Sequence, residues 1–152
     1  MIIWTCPICK TDDLTLRYSS GKMRTCKDCQ KYKNIQANCS VKRKRKKTPQ
    51  VAITQEEFLT WIKSHVRKCF YCGVTEAEIL NLSIYSQIGL LVESLGVDRI
   101  DSDKDYTLDN IVLCCLACNK VKSNSFSQEE MGSLGKTISQ IWQIRKENKT
   151  NF

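Results

Sequence analysis

Apolar residues recur with a helical period in two stretches of this chain, each opened by a capping sequence. In Thr54-Gln55-Glu56-Glu57 a threonine hydroxyl and a glutamate three residues on satisfy each other's backbone N–H groups. Phe58, Ile62 and Val66 follow at i, i+4 and i+8, flanked by Leu59 and Trp61, which predicts an amphipathic helix to about Arg67. Ser127-Gln128-Glu129-Glu130 caps the second, where Met131, Leu134, Ile138, Ile141 and Trp142 repeat to about Arg145. That stripe suits a core or a dimer interface. Thr75-Glu76-Ala77-Glu78 starts a shorter helix by the same box.

Strand signals lie between these helices. Leu14, Leu16 and Tyr18 alternate, predicting a strand within Leu14 to Met23 and a turn at Ser20-Gly21. Leu90-Leu91-Val92-Glu93 to Val97-Asp98 reads as another strand, and Ile111-Val112-Leu113 as its return. Asp101 to Asn110, acidic and polar, suits the connecting loop. Residues 81–89 fit neither period. A helix is expected after Cys115, carrying Asn119 and Lys122.

Cysteines change the picture. Eight of the ten form four Cys-x-x-Cys pairs: Cys6/Cys9, Cys26/Cys29, Cys69/Cys72 and Cys115/Cys118. Two such pairs make a tetrahedral thiolate cage, the usual structural zinc pattern, so two zinc ions per chain are expected. The close spacing favours a metal knuckle over a disulfide, and no signal peptide is recognisable. Cys39 and Cys114 remain as thiols outside the cages. The first two pairs read as a zinc ribbon over residues 1–33. The 152 residues suit a small, zinc-stabilised α+β fold, divided at 1–50 and 51–152. No apolar run reaches about 18 residues, so no membrane span is expected.

Charge then singles out the first third. Residues 1–47 hold 13 Lys/Arg against 3 Asp/Glu, within a chain of net charge +8. Such asymmetry points to a polyanion, with nucleic acid the natural one. Lys22, Arg24, Lys27, Lys31 and Lys33 surround the second knuckle and suit phosphates. The run Lys42-Arg43-Lys44-Arg45-Lys46-Lys47 repels itself, and its cations release counterions on a phosphate backbone, giving affinity without sequence choice. Lys122 is a further candidate contact.

Asp98 and Asn119 would bracket the strand–loop–strand–helix unit. Both offer hard oxygen ligands, which suit a Mg²⁺-like cation. Cys69-x-x-Cys72-Gly73, Val97-Asp98-Arg99, Tyr106, Asn110 and Cys115-x-x-Cys118-Asn119-x-x-Lys122 together resemble the HNH nuclease pattern. The resemblance extends through Gly96-Val97-Asp98-Arg99-x-Asp101-Ser102, Lys122-Ser123-Asn124-x-Phe126-Ser127 and Glu130-Met131-x-x-Leu134-Gly135, and it weakens over residues 35–52 and 80–93. It implies a ββα-metal core that holds one catalytic Mg²⁺ through Asp98 and Asn119, with Asn110 bracing the hairpin loop. It also implies a bacterial cytoplasmic homodimer, a type II restriction endonuclease cutting both strands of palindromic double-stranded DNA. An HNH homing or phage-type nicking endonuclease and a non-catalytic zinc-dependent DNA-binding protein are the alternatives.

One position departs from the family. Most members carry histidine after the metal-binding aspartate, where it activates the attacking water. Here that residue is Arg99, which has no acceptor and stays protonated. It suits the scissile phosphate instead. The resemblance implies that a tyrosine starts cleavage. Tyr71, inside the third knuckle, matches best, ahead of Tyr106 and His65.

Overall fold

A computed structural model describes residues 4–40 and 48–150, with the Thr150 side chain outside the description. Among the described residues there are five α-helices and a two-stranded sheet: α1 (Lys27–Ser40), α2 (Gln55–Ser64), α3 (Glu76–Ile79), β1 (Gly96–Arg99), β2 (Ile111–Cys114), α4 (Leu116–Lys122) and α5 (Gln128–Thr150). The fold is α+β. None of the ten cysteines forms a disulfide. Among the described residues, no helix is long and apolar enough to cross a membrane.

All three capping sequences start helices. Thr54 and Thr75 each make the full reciprocal box, with Glu57 and Glu78. At Ser127 the backbone N donates to Glu130 Oε2 at 2.8 Å, and Glu130 N donates back to the Ser127 hydroxyl at 3.2 Å. Helix α2 stops at Ser64 rather than Arg67, because His65 turns extended (φ −104°, ψ 144°). Val66 therefore leaves the stripe and is 73% exposed, while Phe58 and Ile62 are wholly buried.

Three expectations for the backbone fail. Leu14–Leu16 forms a short 3₁₀ turn capped by Asp13, not a strand, since no neighbouring strand is there to pair with it among the described residues. Residues 90–95 are not part of β1. The strand β2 has four residues and pairs Gly96 to Cys114 through Arg99 to Ile111, so only four positions of β1 find a ladder. Before it, Ser86–Gly89 makes a tight turn, with Gly89 at φ +75°. Finally, the second knuckle runs straight into α1, a 14-residue helix not foreseen in the ribbon.

Helix α1 is held by packing and by buried charge. Tyr32 packs on Phe58 with ring centroids 5.6 Å apart, and its hydroxyl donates to Ile53 O at 2.9 Å. Lys31, Asp28 and Glu76 are buried, and Arg67 lies half-buried against them. Lys31 pairs with Glu76 at 2.6 Å, and Arg67 with Asp28 at 2.5 Å and Glu76 at 2.9 Å. Removing Lys31 leaves the buried Glu76 carboxylate short of a partner, at a cost on the order of 3–5 kcal/mol. Glu76 also accepts from Leu95 N at 3.0 Å, so the network anchors the chain just before β1. A large apolar core surrounds α2, β2 and α5. A smaller one surrounds Cys6, Cys26 and Cys29, and Leu59 packs against both.

Candidate active site

Each cysteine cage is assembled from two knuckles. The backbone curls so that N–H groups meet sulfur: Cys26 N donates to Cys6 Sγ, Cys29 N to Cys26 Sγ and Cys118 N to Cys115 Sγ, each at 3.4 Å. The residue closing the first and third knuckles has a positive φ, 60° at Lys10 and 74° at Gly73. Glycine takes that conformation without a side-chain clash. Cys6, Cys9, Cys26 and Cys29 form one cluster; Cys69, Cys72, Cys115 and Cys118 form the other, with the sulfurs of each within 4.8 Å of one another.

Zinc fits both clusters. Four sulfurs bonded at about 2.3 Å to a tetrahedral ion sit about 3.8 Å apart. Here Cys6 and Cys29 are 3.8 Å apart, Cys9 and Cys26 3.6 Å, and Cys72 and Cys115 3.7 Å. Burial works to raise the Cys6 thiol, yet N–H groups of Cys26, Cys9 and Ile8 outweigh it and hold it at about 6; burial pushes Cys26 up to about 11. Thiols that cannot all ionise together call for a divalent cation. Cys114 lies wholly buried beside the second cluster, its thiol donating to Cys115 O at 3.3 Å.

The second cage fastens the third knuckle to the start of α4, where Cys115 is the N-cap. Phe70 N donates to Leu113 O at 2.8 Å, so this knuckle also grips β2. That places Tyr71 against the hairpin. Its hydroxyl donates to Asp98 Oδ2 at 2.8 Å. Helix α5 crosses behind: a Cβ on Gly135 would lie 2.2 Å from Tyr71 O. Burial and the negative charge of Asp98 push the Tyr71 phenol well above its usual range. Its phenolate is therefore disfavoured.

Arg99 is turned elsewhere. It donates to Lys104 O at 2.7 Å and lies over the Tyr106 ring, 5.0 Å from its centroid. Asn110 ties the loop between the strands, donating to Asp101 O at 3.1 Å and Asp105 O at 2.9 Å, while its Oδ1 accepts from Asp101 N at 2.9 Å. Asp98, Arg99 and Tyr106 line a cleft of about 680 Å³ together with Asn119 and Lys120 of α4. A carboxylate and an amide on one cleft form a hard-oxygen donor set that fits a Mg²⁺-like cation.

One solved structure is similar over almost the whole chain: "An extraordinary mechanism of DNA perturbation exhibited by the rare-cutting HNH restriction endonuclease PacI". The two are 35% identical, with a TM-score of 0.82, over 93% of this chain and 97% of that one. The chain belongs to the HNH endonuclease family. No family model matches the sequence, and no curated protein resembles it significantly.

Seen as an HNH protein, the candidate residues fall into three groups. Asp98, Arg99 and Asn119 share the cleft; Tyr71 joins them through Asp98, and Asn110 through the loop. Lys22, Arg24 and Lys33 are exposed and Lys27 half-buried around the second knuckle, while the run 42–47 lies outside the described residues. The third group is misplaced as DNA contacts. Lys31 is 3% exposed inside the Asp28–Arg67–Glu76 network, and Lys122 is wholly buried beneath the hairpin loop. His65 stacks on Trp61, 4.5 Å between centroids, at the end of α2. Gly135 entered only as part of the resemblance, not for its contact with Tyr71; a glycine inside an otherwise helical stripe is the signal that another backbone comes close.

Proposed function

We propose that this HNH protein is a sequence-specific type II restriction endonuclease, a homodimer that hydrolyses both strands of double-stranded DNA at a palindromic site with Mg²⁺. The observation that supports it most is the single cleft shared by Asp98, Arg99 and Asn119, on a hairpin and helix that two cysteine knuckles fasten together. Likeness to a rare-cutting restriction enzyme over nearly the full length supports the site-specific reading over a nicking enzyme. A binding protein without catalysis would have no use for a hard-oxygen pair in that cleft.

Asp98 and Asn119 would hold the cation, which supplies positive charge at the scissile phosphate and the leaving oxygen. Arg99 stays protonated. Its guanidinium has five N–H donors. One serves Lys104 O, and others remain to grip the phosphate as charge develops there. Tyr106, 5% exposed beneath that guanidinium, serves as its platform. Tyr71 takes the place left by the missing histidine. Its hydroxyl donates a hydrogen bond to Asp98 Oδ2, which leaves its lone pairs to accept a hydrogen bond from the attacking water and orient it. The exposed basic side chains near the second knuckle, with residues 42–47, would hold the DNA backbone.

Plasmid incubated with the zinc-replete protein and Mg²⁺, then with EDTA, tests this reading. Discrete linear fragments that EDTA abolishes are expected. Nicked circles alone would favour a nicking enzyme, and intact plasmid would remove catalysis from the proposal.

A further inference from the structure

Lys122 sits in α4 three residues after Asn119, and its side chain is wholly buried. A lysine ammonium has three N–H donors. Here two find acceptors, Arg99 O at 2.8 Å and Ser102 Oγ at 3.1 Å, and the ammonium forms an ion pair with Asp98 Oδ2 at 3.2 Å. Two of these belong to the candidate catalytic strand, and the third to the loop beyond it. Asp98 Oδ2 also receives the Tyr71 hydroxyl. Among the described residues, no hydrogen bond falls on the other oxygen, Oδ1.

We propose that Lys122 is a positioning residue for the cation site. Its ammonium and the Tyr71 hydroxyl clamp one oxygen of Asp98, fix the carboxylate plane and leave Oδ1 to the cation. The same ammonium holds Arg99 O, so it sets the backbone from which Arg99 reaches the phosphate. A buried lysine is costly unless it is paired and hydrogen-bonded. This one meets both conditions on the site rather than elsewhere in the core. The site is thereby formed before any cation arrives.

The inference rests on Asp98 as a cation ligand, and the test separates the two. Mn²⁺ binding to the DNA-free, zinc-replete protein is measured by calorimetry for the wild type, Asp98→Ala, Lys122→Met and Ser102→Ala, with zinc content and melting temperature alongside. Lys122→Met is expected to weaken Mn²⁺ binding by about tenfold, the usual scale for losing a group that orients a metal ligand. Ser102→Ala removes one acceptor that anchors the ammonium. It should weaken binding in the same direction and by less, with its melting temperature nearly unchanged. It also carries the test if Lys122→Met does not fold.

Tighter Mn²⁺ binding in Lys122→Met would make the lysine a competing counter-ion and overturn the inference. So would a lowered melting temperature with wild-type affinity, which marks a purely structural role. Wild-type affinity in Ser102→Ala would overturn it as well. If Asp98→Ala binds Mn²⁺ as well as the wild type, Asp98 is no ligand, and both readings fall.

Discussion

Replacing Gly135 with alanine should disable the site while leaving the fold standing. A Cβ at this position of α5 would lie 2.2 Å from Tyr71 O and 2.7 Å from Tyr71 C, and real Cβ atoms essentially never approach closer than 3.0 Å. The knuckle and the helix must therefore part by at least 0.8 Å, from 2.2 to 3.0 Å. If the Tyr71 hydroxyl follows its backbone by that much, in whichever direction, its 2.8 Å bond to Asp98 loses its hydrogen-bond geometry. Misplacement on the order of 1 Å costs about 10²-fold in rate. Stability should suffer less. Overpacking costs about 1–3 kcal/mol, and alanine recovers about 1 kcal/mol of helix propensity over glycine. The net loss is roughly 0–2 kcal/mol, a fall of up to about 8 °C in melting temperature for a chain of this size. Gly132→Ala, where nothing lies within 4 Å, is the control on the same helix and should be neutral or slightly stabilising. Cleavage rate, zinc content and thermal melting are measured for both variants. A Gly135→Ala protein that cuts at the wild-type rate would refute the reasoning, and so would equal activity losses in the two variants.

Metal analysis should find two zinc ions per chain; stripping them with a strong chelator should unfold the protein, read by circular dichroism, because so small a core depends on its thiolate–zinc bonds. Tyr71→Phe should keep zinc content and DNA binding and lower cleavage by about 10² or more, the scale for losing the group that positions a reacting atom, in a single-turnover assay. Tyr106→Phe should matter less, because the ring that supports Arg99 remains. Neutralising residues 42–47 should flatten the salt dependence of DNA binding, by up to about 5 in the log–log slope for six charges, without moving the cut site.

The parts of this fold that were legible in the sequence are those whose chemistry is local. A Cys-x-x-Cys knuckle and a Thr-x-x-Glu box close within four residues, so neither needs knowledge of the rest of the chain. The cage partners, Cys6/Cys9 with Cys26/Cys29 and Cys69/Cys72 with Cys115/Cys118, also emerged as read. What failed depended on distant partners. Leu90 and Leu91 resemble strand residues but do not extend β1, since β2 is only four residues long; Leu91 instead makes a lone bridge to Tyr85, and the two are 62% and 39% exposed. Helix α1 was hidden because its buried face carries Asp28 and Lys31, whose partners Arg67 and Glu76 come from far along the chain. Lys122 looked like a phosphate contact for a similar reason. Nothing beside it in sequence announces that Arg99 O, Ser102 and Asp98 will surround its ammonium. Bases are read by side chains placed in a groove, so the recognition sequence depends on a geometry that residue spacing does not encode.

Sequencing the ends of genomic DNA digested with this protein and Mg²⁺ addresses the central claim most directly. The expected result is that every end falls at one palindrome, with both strands cut at symmetric positions, and that Asp98→Ala yields no ends. Scattered ends, or breaks in one strand only, would contradict a site-specific enzyme that cuts both strands.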